Sequence, residues 1–201
     1  MHKTAIEIGP ADNGRRMSLE EFDLAEGREG YIYELSRGVV TVTNVPGRRH
    51  FLMVNAIRKQ LSAYEAANPD TIYAISAGSD CKILLSGLQS ERHPDLAVYK
   101  TPMPDEDEVW ATWIPELVIE VVSPESAHRD YNEKAEEYLE FGVREYWVVD
   151  EQRQEMLVHR RFGGRWRTRV VGPQERCTTR VLPGLQFDLG AVFAAARVVS
   201  G

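Results

Sequence analysis

Glu120 is the residue whose setting most constrains the chemistry of this chain. It lies in ELVIEVV, where strand alternation puts Glu116, Val118, Glu120 and Val122 on one face and Leu117, Ile119 and Val121 on the other. An ionised carboxylate left unpaired in such an apolar strand is costly, so a cation or a specific donor must lie beside it. Upstream, Asp95 follows Pro94 at the start of a second apolar strand, LAVY. If the two strands pair, the carboxylates converge. With the backbone carbonyl of Val121 and water they form a hard-oxygen site suited to Mg²⁺, or Mn²⁺, rather than to zinc.

The candidate cation comes from the helix that follows. Asp130, Lys134 and Tyr138 recur at steps of four, on one helical stripe bordered by Tyr131 and Ala135. Lys134 therefore projects from the packed side of that helix toward the carboxylate strand. Two readings stand at this point: a cation serving a reactive site, or an ion pair with Glu120 or Asp130 that only fixes the helix on the sheet.

The elements that must position these groups are legible in outline. Ser18 and Glu21 form a capping-box pattern for a short helix running to about Ala25. YIYEL and GVVTVTNV, around Ser36-Arg37-Gly38, predict a β-hairpin. An apolar stripe through Leu52, Ala56, Ile57, Leu61 and Tyr64 predicts a long helix from about Arg49 to Ala66, opened by His50. TIYAIS, CKILLS, PDLAVYK and ELVIEVVS follow as strand candidates, the last central because it is apolar on both faces. The acidic stretch PMPDEDE is too polar to pack and reads as a mobile connection. A helix from about Ala127 to Phe141 ends at Gly142, then EYWVVD, EMLVHRRF and RWRTRVV form a meander turned at Gly163-Gly164. PGLQFDLGAVFAAA closes with a short strand and an amphipathic helix packing through Leu189, Val192 and Phe193. The order of elements predicts an α+β fold in one domain over residues 1–201, with a core over about 30–160 and a meander and helix over 161–201.

Composition excludes several classes. At 201 residues, 43% hydrophobic and 27% charged, the chain has the make-up of a globular domain. No run approaches the roughly 20 apolar residues of a membrane helix, and MHKTAIEIGP lacks a signal-peptide core, so the expected setting is cytoplasmic and away from membranes. Cys81 and Cys177, without metal-ligand spacing, exclude a disulfide framework or thiolate zinc site. The net charge of −7 disfavours a protein that coats nucleic acid by bulk electrostatics. That average hides residues 101–140 at net −10 and residues 159–180 at net +6. In the basic segment Arg165, Arg167 and Arg169 line one strand face, suited to phosphate contact or simply to solvent.

Taken together, PD at Pro94-Asp95, ELVIEVVSPES, RDYNEKAEEYLEFGVREYWVVD, YELSRG before Gly38 and LPGLQFDL resemble the Uma-two family of restriction endonucleases. The resemblance spans nearly the whole chain. It implies the PD-(D/E)XK nuclease superfamily, with a restriction endonuclease-like mixed central β-sheet flanked by helices, an α/β/α-like arrangement. It maps Asp95 and Glu120 onto the two metal carboxylates, with Mg²⁺ as cofactor and DNA as substrate. The superfamily's usual lysine, two residues after the glutamate, is Val122 here, and Lys134 in D-x-x-x-K-x-x-x-Y is the matching replacement. Where the superfamily often adds a glutamate from its first core helix, the long helix offers only Glu65 near its far end; Glu34 and His50 are the family-like alternatives. With Asp130 and Tyr138 they make the expected supporting shell. Activity on duplex DNA implies a homodimer, since two strands are cut. The competing expectation is a nuclease fold kept as a catalytically inactive binding or scaffold module, with Lys134 as a structural counter-ion.

Overall fold

The computed structural model describes residues 6–197, which divide into two compact units: residues up to Val45 with Lys82–His93, and Pro46–Cys81 with the chain from Pro94 onward. The first unit is built on the expected hairpin. Tyr31–Ser36 and Val39–Asn44 pair antiparallel, and Ser36 opposite Val39 leaves Arg37 and Gly38 as a two-residue turn. Both turn residues have positive φ, 49° and 75°, the requirement of a type I′ turn, which explains the glycine. Ser90–Arg92 and Ile83–Leu85 complete a four-stranded antiparallel sheet. CKILLS thus belongs to this smaller sheet, beside a strand whose polar residues Ser90, Glu91 and Arg92 carry no alternation signal. The Ser18–Glu21 capping box forms as expected on a helix over Leu19–Asp23.

The second unit carries a six-stranded mixed sheet: β1 (Ala74–Ser76), β2 (Leu96–Tyr99), β3 (Leu117–Val121), β4 (Glu145–Asp150), β5 (Glu155–Phe162) and β6 (Arg165–Val171). Spatial order follows chain order, and every neighbour pair is antiparallel except β3 with β4. Parallel neighbours need a crossover, and helix α2 (Lys134–Phe141) lies in it. Helix α1 (Arg48–Ala67) precedes the sheet and α3 (Leu189–Arg197) follows it.

Alternation decides the layers. Leu117, Ile119 and Val121 of β3 join Leu96, Val98, Trp147, Val149, Met156 and Val158 in one core that also holds Met53, Ile57 and Leu61 of α1 and Val192 and Phe193 of α3. Val118, Glu120, Tyr146 and Val148 take the opposite face, where Tyr138 of α2 meets Tyr146 edge-on at 5.1 Å. The result is the α+β architecture expected, a mixed sheet between helices.

Two local expectations change. Downstream of PMPDEDE the connection is packed: Val109–Thr112 forms a helical turn, and Trp113 stacks on Tyr99 at 3.7 Å between ring centroids, its indole donating to the Thr101 carbonyl. Aromatic burial outweighs the polarity of the preceding segment. The helix expected over Ala127–Phe141 is also not uniform, since Arg129–Glu133 is π-helical before α2 begins; Gly142 caps it at φ 108° as expected.

His159 on β5 is buried between Tyr146 and Trp166, its Nδ1 bonded to Thr168 and its Nε2 without a partner among the described residues. Burial pushes its pKa down to about 4. The unfolded chain then binds a proton below about pH 6.5 that the folded chain refuses until about pH 4, so this residue's contribution is complete above pH 6.5 and falls with pH across that window, by up to about 3 kcal/mol. Melting temperatures of wild type and His159→Phe between pH 7.5 and 4.5 should show a smaller acid loss in the variant, and parallel curves would contradict this.

Candidate active site

The β2–β3 register brings the two carboxylates together. Leu96 pairs with Ile119, so one step outward Asp95 stands opposite Glu120. The Asp95 amide lies 3.4 Å from Glu120 Oε2, and the Val121 amide donates to Asp95 Oδ2 at 2.7 Å. Glu120 is only 3% exposed, and its Oε1 accepts from Lys134 Nζ at 3.0 Å and from the Tyr138 hydroxyl at 2.7 Å. The donors that an apolar strand with a carboxylate demands are therefore present, and both come from α2.

Lys134 itself is 5% exposed and stands 3.6 Å from Asp130 Oδ1, so one ammonium bridges two buried carboxylates. Asp130 is oriented by Ser126, whose hydroxyl donates to Oδ2 at 2.5 Å. The π turn matters here. Its last N–H, from Lys134, reaches back to the Arg129 carbonyl, and the Asp130 carbonyl accepts the Tyr146 hydroxyl at 2.8 Å. Ser126 and Tyr146 were missing from the expected set. Tyr146 reads as core packing, and only the fold shows that its hydroxyl ends on the helix; Ser126, one turn before Asp130, carried the only available signal.

From the opposite layer α1 supplies His50, whose Nε2 lies 3.0 Å from Asp95 Oδ2. Burial disfavours the charged imidazole, but the hydrogen bond and charge of Asp95 outweigh it and hold the His50 pKa above its ordinary value. Beside His50 opens a cleft of about 470 Å³, walled by the first turn of α1, by Val122, Ser123 and Pro124 after β3, and by Glu151 and Gln152 after β4.

The other expected residues have partners and settings of their own. Glu34 belongs to the first unit, where Arg92 Nη1 lies 3.3 Å from its Oε2 and the His93 amide donates to Oε1 at 3.1 Å. Glu65 lies about 22 Å along α1 from His50. On β6, Arg167 stacks over Phe162 at 3.5 Å and Arg169 pairs with Glu175 at 2.7 Å, whereas Arg165 makes no ion pair among the described residues. Ser123 serves its turn, donating its amide to Ser126. Cys81 and Cys177 are buried and form no disulfide among the described residues, and burial pushes both thiols up to about 11, which removes them as nucleophiles near neutral pH.

The model of the Uma2 family, described as "Putative restriction endonuclease", matches residues 19–190. Among solved structures, the chain is similar to the 1.96 Å crystal structure of "a putative nuclease belonging to DUF820" from Anabaena variabilis: TM-score 0.72 at 18% identity, over 90% of this chain and 99% of that one. At that identity the likeness is one of fold. No curated protein matches the chain.

The Glu120–Lys134 pair makes a direct prediction about stability. Lys134→Met should cost about 3–5 kcal/mol in urea unfolding, because it strands a buried carboxylate, while Glu120→Gln combined with Lys134→Met should cost clearly less than the two single changes added. Additive costs would mean that the pair is not coupled.

Proposed function

The chain belongs to the Uma2 family, and from that membership we propose that it is a metal-dependent endonuclease hydrolysing phosphodiester bonds in DNA. The observation that carries this reading is the convergence of Asp95 and Glu120 at one strand end with Lys134 on the same carboxylate. The donor chemistry fits Mg²⁺, which is commonly held by one or two carboxylates with water completing its shell. Among the described residues no three His, Cys, Asp or Glu side chains cluster as a metal site, so the fit is to a hydrated hard cation and not to a fully protein-enclosed ion. Asp95 and Glu120, with the backbone of Val121, would hold it, and Mn²⁺ suits the same oxygens. When bound, the ion would polarise a phosphoryl oxygen and offset charge developing on the phosphate.

The chain's own residues have distinct tasks in this reading. Lys134, an ammonium excluded from bulk water, orients the attacking water and stabilises the negative charge it develops. Tyr138 fixes Glu120, Asp130 fixes Lys134, and His50 holds the Asp95 carboxylate in its orientation. On β6, Arg165 contributes a phosphate contact away from the chemistry, and Arg167 and Arg169 join it only by leaving Phe162 and Glu175. Because a duplex has two strands to cut, a homodimer belongs to the proposal, to be checked by light scattering.

A second reading is favoured by one observation. Val122 stands where the superfamily lysine would be, and Lys134 already neutralises Glu120, an arrangement that would also serve a nuclease fold kept as a binding or scaffold module.

Plasmid, linear and single-stranded DNA with Mg²⁺ or Mn²⁺ separate the two. Wild type should cleave, and Asp95→Ala and Glu120→Gln should each lose about 10²-fold or more in rate. Metal should also raise the wild-type melting temperature and fail to raise it in Asp95→Ala, a readout that needs no turnover. Absence of cleavage and of a metal-dependent shift in wild type, or equal cleavage by all three proteins, would move the assignment to the binding module.

A further inference from the structure

The outward face of α1 differs from the rest of this acidic chain. At 100° per residue Arg48, Phe51, Asn55, Arg58, Lys59 and Ser62 fall within an arc of about 100°, and all but the half-buried Asn55 are exposed. Arg48, Arg58 and Lys59 make no ion pair among the described residues, whereas neighbouring Arg49 pairs with Glu151. No acidic residue precedes Glu65 in the helix, so about 16 Å of uncompensated positive surface runs from Arg48 to Lys59 in a chain of net charge −7. Phe51, at 63%, is the most exposed large apolar side chain among the described residues, and it directly follows His50, whose ring bonds Asp95.

We propose that this face is a binding surface for single-stranded or locally unpaired nucleic acid, with Arg48, Arg58 and Lys59 tracking backbone phosphates and Phe51 stacking on an unpaired base next to the carboxylates. The proposal deepens the nuclease reading and rests on it for the direction of the strand toward Asp95. Three uncommitted cations suit a polyanion, and an exposed ring beside them supplies what a base requires and an acidic peptide does not. A duplex offers its phosphates to the same cations but keeps its base faces stacked, so Phe51 selects between the two forms. The basic strand β6 is the weaker candidate: two of its three arginines are engaged with Phe162 and Glu175, and it lies three strand spacings, about 14 Å, from β3.

Fluorescence anisotropy with labelled single-stranded DNA, the same sequence as RNA, and duplex DNA, titrated in EDTA at several salt concentrations, tests this without turnover. Arg48→Ala/Arg58→Ala/Lys59→Ala should lower the slope of log K against log salt for the single strands by about 2, at ~0.7 per cation. Phe51→Ala should weaken single-strand binding about tenfold or more and leave duplex binding nearly unchanged. Unaltered melting temperatures would show that these exposed substitutions leave the fold intact, and Arg48→Gln with Lys59→Gln serves where the triple variant is unstable. An unchanged slope, equal effects of Phe51→Ala on single strand and duplex, no binding by wild type, or loss of binding only with Arg165→Ala/Arg167→Ala on β6 would overturn the assignment. Cleavage that persists while binding ignores these variants would refute the surface alone; binding that obeys them in a chain that never cleaves would refute the reaction alone.

Discussion

A carboxylate at the end of a central, apolar strand has to be balanced, and the balance of Glu120 organises everything around it. Lys134 and Tyr138 meet the same oxygen, which requires α2 to dock with one particular stripe facing the sheet. Docking in turn relies on Asp130 beneath Lys134 and on Tyr146 reaching up to the helix backbone. The π turn over Arg129–Glu133 sits where these demands meet, a local departure from α geometry at the point where the helix must satisfy the sheet rather than itself. Removing a member of such a network leaves its partner buried and unpaired, so the network's rigidity and its stability have one origin.

The sheet's one parallel pair gives this network its location. Because β3 and β4 run in the same direction, both end at the same edge, and the turns that follow them, Val122–Pro124 and Glu151–Gln152, wall the cleft together with the first turn of α1. Each side of the sheet contributes to one point: α2 delivers the ammonium from one layer, and α1 brings His50 to Asp95 from the other. Crevices beyond the carboxyl ends of parallel strands recur as binding sites because there the chain leaves the sheet and its side chains no longer need to pack.

Charge is arranged with the same economy. The net −7 of the chain says little about any one surface, because much of the formal charge is consumed internally: Arg92 on Glu34, Lys82 on Glu91, Arg169 on Glu175 and Arg49 on Glu151. What remains uncommitted carries the electrostatic character of a surface, and counting residues along the sequence does not reveal which ones those are. The arginine-rich strand β6 is the most basic element in the sequence, yet two of its arginines are engaged, while three plainer cations on α1 make no ion pair among the described residues.

Much of this molecule is written in local patterns. The alternation of ELVIEVV, the four-residue steps of Asp130, Lys134 and Tyr138, the Arg37-Gly38 turn and the capping box of Ser18 and Glu21 each follow from backbone periodicity and nearest-neighbour hydrogen bonding, and each forms as expected. Even the meeting of Asp95 and Glu120 was legible, since buried carboxylates need partners wherever the chain puts them. Tertiary structure decided what periodicity does not encode. It assigned CKILLS to the smaller sheet beside the polar strand Ser90–Arg92, packed Trp113 against Tyr99 despite the acidic run before it, bound Glu34 to Arg92, and opened a π turn in a helix whose sequence reads as plain α. The physical reason is common to all four: each depends on which distant group meets a buried polar atom or aromatic ring, and that partner is selected by the packing of the whole unit and not by the residues beside it in the chain.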